Sequence, residues 1–336
     1  MKKSFIFGVL ALTLGAAILL SFTQGRYPLH LVDLWHYLQH VLFHSPMADE
    51  LANRIGVLLC DIRLPRILAA VVVGAALSVS GVTFQAMFVN PLVSPGILGV
   101  LAGASFGAAL GMLLSTEWAV VQVSAFSFGM IAVGLALLLS HFYKGDRLLL
   151  LILSGVISGS LFTAMLSIIK YLADPYDQLP AIVYWLMGGF SMISLDTIST
   201  LAPGILIGIL IIVAFANNLN LLTMGEEEAR SLGIRVRTMR LMFIVVATLI
   251  SSLTVAIGGI IGWVGLVIPH MSRMIIGPDN RVLLPFSALM GALFLLVVDN
   301  VSRQVFTVEI PLGILTSLLG IPAFAGVLRV ARKGWG

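Results

Sequence analysis

The chain has 336 residues, of which 59% are hydrophobic and only 10% charged, with a mean hydropathy of +1.08. So little charge cannot clothe a water-soluble globular domain, and apolar runs of the ~20 residues needed to cross ~30 Å of hydrocarbon recur throughout, so the composition points to a polytopic helical membrane protein. A single cysteine, Cys60, excludes an intrachain disulfide and a multi-cysteine metal cluster, and the net charge of +4 comes from residues spread between spans, which reports membrane orientation rather than nucleic-acid binding.

In chain order, hydropathy predicts ten spans, at about 4–22, 67–88, 93–114, 118–141, 148–170, 196–216, 239–257, 260–276, 283–301 and 311–329. Lys2-Lys3 followed by Ser4 to Phe22 reads as an uncleaved first helix, because the TQGRYPLH after it lacks a small-x-small cleavage site. In WHYLQHVLFH, His36, His40 and His44 fall at i, i+4, i+8 on one helical face. A metal or haem contact would need a further ligand, and no nearby carboxylate completes a set. An interfacial amphipathic helix with Trp35 and Tyr37 at headgroup depth accounts for the pattern. Cys60 reads as a small buried or interfacial residue.

Arg63 and Arg66, in RLPR, lie one turn apart at the outer mouth of the second span, and Arg303 lies at the outer end of the ninth. Such arginines either snorkel to lipid headgroups or form an external basic clamp for carboxylates of a partner. Asn90-Pro91-Leu92-Val93-Ser94-Pro95-Gly96 forms a stiff, kinked connector. Gly103, Gly107 and Gly111 make a GxxxGxxxG ridge, with GxxxG pairs at Gly155/Gly159 and Gly204/Gly208, the spacing that lets helices approach closely in lipid. Residues 180–192, around PAIVYWLMGGF, are too short to span and read as a partial, re-entrant helix on the outer face.

The stretch MGEEEARSLGIRVRTMR, Met224 to Arg240, is a charged island between apolar blocks. Glu226, Glu227 and Glu228 open it, Gly233 closes a helix, and Arg230, Arg235, Arg237 and Arg240 follow. A polar helix held at one membrane face is a docking element for a soluble partner. None of the five lysines, at 2, 3, 144, 170 and 333, follows a GxxxxG phosphate cradle, so this chain does not hydrolyse nucleotide by that route. Ionisable groups near the midplane are scarce, and Lys170, Asp299 and Glu309 all lie near span ends, which weighs against an ion-coupled carrier. His270, after Pro269, reads as a packing residue.

With the N-terminus inside, 13 basic residues fall on the cytoplasmic side and 6 outside, which places both termini and the Met224–Arg240 island in the cytoplasm.

Several stretches together resemble the FecCD-type permeases of ATP-binding-cassette importers for vitamin B12, iron siderophores and haem. They are RLPRILAAVVVGAALSVSGVTFQAMFVNPLVSPGILGV (63–100), DRLLLLILSGV (146–156), YWLMGGF (184–190), GEEEARSLGI (225–234), GWVGLVIPHMSR (262–273), DNRVLLPFSALMGA (279–292) and IPLGILTSLLGIPAF (310–324). The resemblance implies an all-α polytopic fold of about ten transmembrane helices, the type II importer permease fold, in a single transmembrane domain over residues 1–336. It implies a homodimer with the pathway between subunits, two ATPase subunits that hold ATP and Mg, an extracytoplasmic substrate-binding protein, and no cofactor in this chain. It implies residence in a bacterial or archaeal cytoplasmic membrane.

By the same resemblance, coupling helices fall at about 219–234, with Met224, Gly225, Glu226, Glu227, Glu228, Ala229, Arg230, Leu232 and Gly233 meeting the ATPase. Asn90 and Leu92, with Lys144, Gly145 and Asp146, fall at the cytoplasmic gate; the vitamin B12 member carries small hydroxylated residues where this chain has KGD. Arg63, Arg66 and Arg303 fall where the binding protein docks. The expected cargo is a metal chelate, an iron siderophore or haem, or a corrinoid; a molybdate or tungstate oxyanion is the alternative, and a stand-alone secondary transporter the competing class.

Overall fold

A computed structural model describes residues 2–25, 27–143, 145–305 and 308–331. Lys144 of the expected gate lies outside the described residues, as do Arg332 and Lys333 of the topology count. Among the described residues every regular element is helical.

The chain opens with α1 (Lys2–Thr23), followed by α2 (Leu31–Phe43) and α3 (Asp49–Gly56). A π-helical segment, Val57–Arg63, runs without a break from α3 into α4 (Leu64–Met87), giving one 39-residue helical run. Pro65 falls just past the π segment, inside this run, so it cannot donate a backbone hydrogen bond to the turn before it. A 3₁₀ turn, Pro95–Leu98, leads into α5 (Val100–Leu114), then α6 (Trp118–Phe142) and α7 (Arg147–Leu172). The short α8 (Gln178–Leu186) precedes α9 (Leu195–Ala214), and two small helices follow, α10 (Ala216–Leu222) and α11 (Glu226–Ser231). The chain ends with α12 (Val236–Gly258), α13 (Val264–Ile276), α14 (Asn280–Gln304) and α15 (Leu312–Ala331).

Each of the ten expected spans coincides with a helix. Seven runs are long and apolar enough to cross a bilayer: α1, Asp49–Met87, α6, α7, α9, α12 and α14. The other three, α5, α13 and Leu312–Gly326 of α15, are apolar but shorter. Residues 180–192 hold the nine-residue α8, too short to span, as expected. Its end is pinned on two sides: the Gly189 N–H donates to the Gly258 carbonyl at 2.9 Å, and the Leu312 N–H donates to the Gly188 carbonyl at 2.8 Å.

Burial ranks the helices. The most apolar window of the Asp49–Met87 run is 78% buried and that of α12 67%, against 28% for α6 and α7 and 11% for α1. The α4 helix is therefore the central post, with α14, α12, α13 and α9 around it. Lipid tails are as apolar as leucine, so this packing depends on backbone approach. A Cβ added at Gly74 would lie 2.2 Å from the Gly291 carbonyl oxygen, and one at Gly81 2.0 Å from that of Gly265. The Gly103–Gly107 ridge works in the same way, lying on the Phe128 and Ser124 carbonyls of α6.

The region between the first two spans is more helical than the sequence reading, which expected only the interfacial helix around His36–His44. It holds α2, α3 and the π segment. α2 buries no side chain, and Trp35 and Phe43 are exposed, as an interfacial helix requires. Cys60 is exposed on the π segment rather than packed inside.

Candidate functional site

The expected coupling segment, about 219–234, falls on the end of α10, a turn and α11, rooted in the body of the protein. Ala229, Leu219 and Leu222 are fully or almost fully buried in the same cluster as Val236, Leu283 and Leu284. The three glutamates occupy the first turn of α11, where the helix dipole favours negative charge. Gly233 closes the helix in a left-handed conformation (φ 83°). Its N–H donates to the Arg230 carbonyl at 2.9 Å and the Ile234 N–H to that of Ala229 at 3.0 Å, the paired bonds of a Schellman motif. Glu226 bridges Arg230, one turn on, and Arg240 of α12 at 3.4 Å. The outward face carries Met224, Leu232, Glu227 and Glu228, all exposed.

Sequence reasoning missed the residue that anchors this unit. Asn220 donates to the Asp279 carboxylate at 2.7 Å and accepts from the Asn280 N–H at 2.8 Å, which clamps α10 to the start of α14. Hydrogen bonds from Arg281 and Asn220 hold the Asp279 carboxyl well below the usual carboxylate range. A polar DN pair just before an apolar helix was the available signal.

The two loops that the sequence reading expects at the gate lie at this same end. Asn90 accepts the Leu92 N–H at 2.9 Å, folding the connector into a tight Asx turn, and Leu92 stays exposed. Asp146 is the N-cap of α7 and accepts from the N–H groups of Leu148 and Leu149 at 2.8 and 3.3 Å. A cavity of about 490 Å³ is bounded by Val89, Gly145, Asp146, Gly225 and Glu226, so the connector, the 145–146 loop and the start of α11 share one space.

The arginine end corrects one expectation. Arg63, Arg66 and Arg303 do not stand free on an outer rim; only 3%, 5% and 7% of their surfaces are exposed. Arg63 donates to the Phe22 and Tyr27 carbonyls. Arg66 donates through Nε to Asp299 at 2.8 Å and through Nη1 to Glu309 at 2.9 Å. Arg303 lies one turn after Asp299, with Nε 3.2 Å from its carboxylate, and donates to Asn300. Ser191 donates to Glu309 at 2.8 Å and brings the segment after α8 into the network. The physical reason is the scarcity of charge itself: a guanidinium in an apolar bundle must find a carboxylate or carbonyl partner. Beside Arg66 and Glu309 lies a cavity of about 290 Å³ with Met112, Trp118, Tyr184 and Met192 in its walls.

The three histidines of α2 are not gathered around a common point. His44 is the left-handed C-cap, and His40 Nδ1 lies 2.7 Å from the Ser45 carbonyl oxygen. His270 packs its ring edge-on against Phe324.

The fold is a membrane-spanning helical bundle with a buried ionic cluster at one end and, at the other, a rooted pair of short helices whose outer face is open. The chain belongs to the FecCD transport family, whose model matches residues 12–330, and so is a permease subunit of an ATP-binding-cassette importer. It is 37% identical to the molybdate import system permease protein MolB of Haemophilus influenzae, over 98% of this chain and 96% of that one. It is also 37% identical to the hemin transport system permease protein HmuU of Yersinia pestis, over 81% of this chain and 83% of that one. A solved metal-chelate type ABC transporter in an inward-facing conformation superposes with a TM-score of 0.86 at 37% identity, covering 97% of this chain and 99% of the other. Membership of an importer family implies ATPase and substrate-binding partners.

Proposed function

We propose that two copies of this chain form the membrane channel of a metal-chelate importer driven by two separate ATPase subunits. The observation that carries this reading is the α10–α11 unit: its inner face is buried through Ala229, Leu219 and Leu222, and its outer face presents Met224, Leu232 and two glutamates. An element fixed to the core on one side and open on the other transmits force from a partner, because a helix with satisfied backbone bonds keeps its length. Closure of the ATPase dimer moves α10–α11; the Asn90–Leu92 and 145–146 loops, next to that unit, then open or seal the inner end. Uncovered leucines and isoleucines along α7, such as Leu153, Ile157 and Leu161, and Leu318 and Ile321 on α15, offer a face for the second copy.

The arginine end faces outward in this proposal and receives the binding protein, with both termini and α10–α11 in the cytoplasm. Arg66 pairs with Asp299 and Glu309, Arg303 lies against Asp299, and Arg63 is held by the Phe22 and Tyr27 carbonyls; in this proposal the positive charge of Arg63 steers an incoming acidic side chain. Such pairing sets orientation and arrival rate more than holding strength.

The cargo in this reading is an iron chelate or haem, supported by likeness to the hemin permease and the metal-chelate transporter. The second reading is a molybdate-type oxyanion, favoured by 37% identity to the molybdate permease over nearly the full length of both chains. Proteoliposomes holding the permease, its ATPase and its binding protein decide between them. ATP-dependent uptake of a radiolabelled ferric chelate or haem supports the first, and uptake of molybdate alone supports the second. Gradient-driven flux without the ATPase overturns both.

A further inference from the structure

The ends of α6, α7 and α12 line a second cavity, of about 720 Å³, which borders the expected gate loop at Gly145. Its polar wall carries Arg147, Arg237, Arg240, His141 and Ser140, and no carboxylate lines it among the described residues. Arg147 is the first residue of α7, Arg237 and Arg240 lie in the opening turns of α12, and His141 is in the last turn of α6. Three helices of spanning length therefore end together on a ring of basic groups, which is headgroup depth for a bundle of this kind. Neither Arg147 nor Arg237 has an ion-pair partner among the described residues. Arg240 reaches Glu226 through Nη1, while its Nε is buried without a hydrogen-bond partner.

The opposite wall is apolar: Leu137, Leu138, Leu241 and Ile244, with Leu138 and Leu241 about half exposed along the flanks of α6 and α12. We propose that this cavity binds an anionic phospholipid, its phosphate among Arg147, Arg237 and Arg240 and its acyl chains along the leucines of α6 and α12. A free phosphate or other small anion would use the guanidiniums but gain nothing from the apolar wall. The continuity of the two walls selects the amphiphile. Because Arg240 also holds Glu226, a phosphate here competes for the arginine that tethers α11, so lipid composition reaches the coupling unit through one side chain.

The test uses the full-length protein, with native mass spectrometry of lipid adducts. Phosphatidylglycerol is compared with phosphatidylcholine of identical acyl chains. Each basic residue near an anionic headgroup strengthens binding by about fivefold. Phosphatidylglycerol retention should exceed that of phosphatidylcholine, and Arg147→Gln with Arg237→Gln should reduce it by about twenty-five-fold. Arg281→Gln, at the same end but outside the cavity, should leave retention unchanged. Equal retention of the two lipids in the unmodified protein overturns the proposal and needs no variant to fold. An equal loss in Arg281→Gln overturns it in favour of diffuse surface charge. Full displacement by millimolar inorganic phosphate overturns it in favour of a small-anion site.

Discussion

Neutralising Asp299 gives the sharpest check on the buried ionic cluster. Its side chain is wholly inaccessible; it accepts from Arg66 Nε at 2.8 Å and faces Arg303 Nε at 3.2 Å. Asp299→Asn keeps the shape but leaves Arg66 and Arg303 with one carboxylate, Glu309, and turns an amide N–H₂ toward one of the two arginines. Breaking a buried pair while its partner stays buried costs about 3–5 kcal/mol. An unfolding entropy of ~2.1 cal/mol/K per residue gives a chain of this length ~0.7 kcal/mol/K, so the melting temperature should fall by about 4–7 °C. Intrinsic-fluorescence melting in one detergent measures this. Asp299→Leu combined with Arg303→Leu removes both charges and leaves Arg66 with Glu309, so the double variant should be more stable than the sum of the singles by about 1–3 kcal/mol. A melting temperature for Asp299→Asn within about 1 °C of the unmodified protein refutes the reasoning, and so does strict additivity in the double variant.

Gly81→Val should abolish the recovery of folded protein in detergent, because even a Cβ there would stand 2.0 Å from the Gly265 carbonyl, and α4 cannot back away from α13 without losing α14. The same change at Gly134, where a Cβ meets nothing within 4 Å, should leave yield and monodispersity unchanged on size-exclusion chromatography. Ala229→Pro, or charge reversal at Glu226–Glu228, should leave membrane insertion intact while ATP hydrolysis no longer drives uptake; normal transport in both would remove α10–α11 from the mechanism. A reporter fused at the C-terminus should be active only as a cytoplasmic reporter, and periplasmic activity would invert the proposed orientation.

The spans were legible because an apolar run of bilayer length needs no partner to identify it. The Gly103–Gly107 ridge and the helix closed by Gly233 were legible for a related reason: spacing within a few residues sets the geometry. The 45–63 region was not, since its short mixed segments carry neither a spanning run nor a clean amphipathic period across the π segment. The arginine cluster failed differently. The residue types were singled out, but Arg66 meets Asp299 across 233 residues of sequence, and only the fold brings them together. The one local hint was Asp299 four residues before Arg303 in an otherwise apolar helix. Asn220 left almost no trace, because its role is to satisfy the start of a helix 60 residues further on.

The central helix also sets how the two ends of the molecule can influence one another. α4 begins beside Arg66 and stops just short of Asn90, so 24 residues, ~36 Å of rod, join the ionic cluster to the turn at the far side. Nothing along it is a joint: no proline interrupts it past its first turn, and glycine contacts with α13 and α14 grip it along its length. Small axial shifts at one end therefore arrive at the other with little slack. In the proposed orientation, an encounter outside the membrane and a power stroke inside it would thus be felt through a single stiff strut.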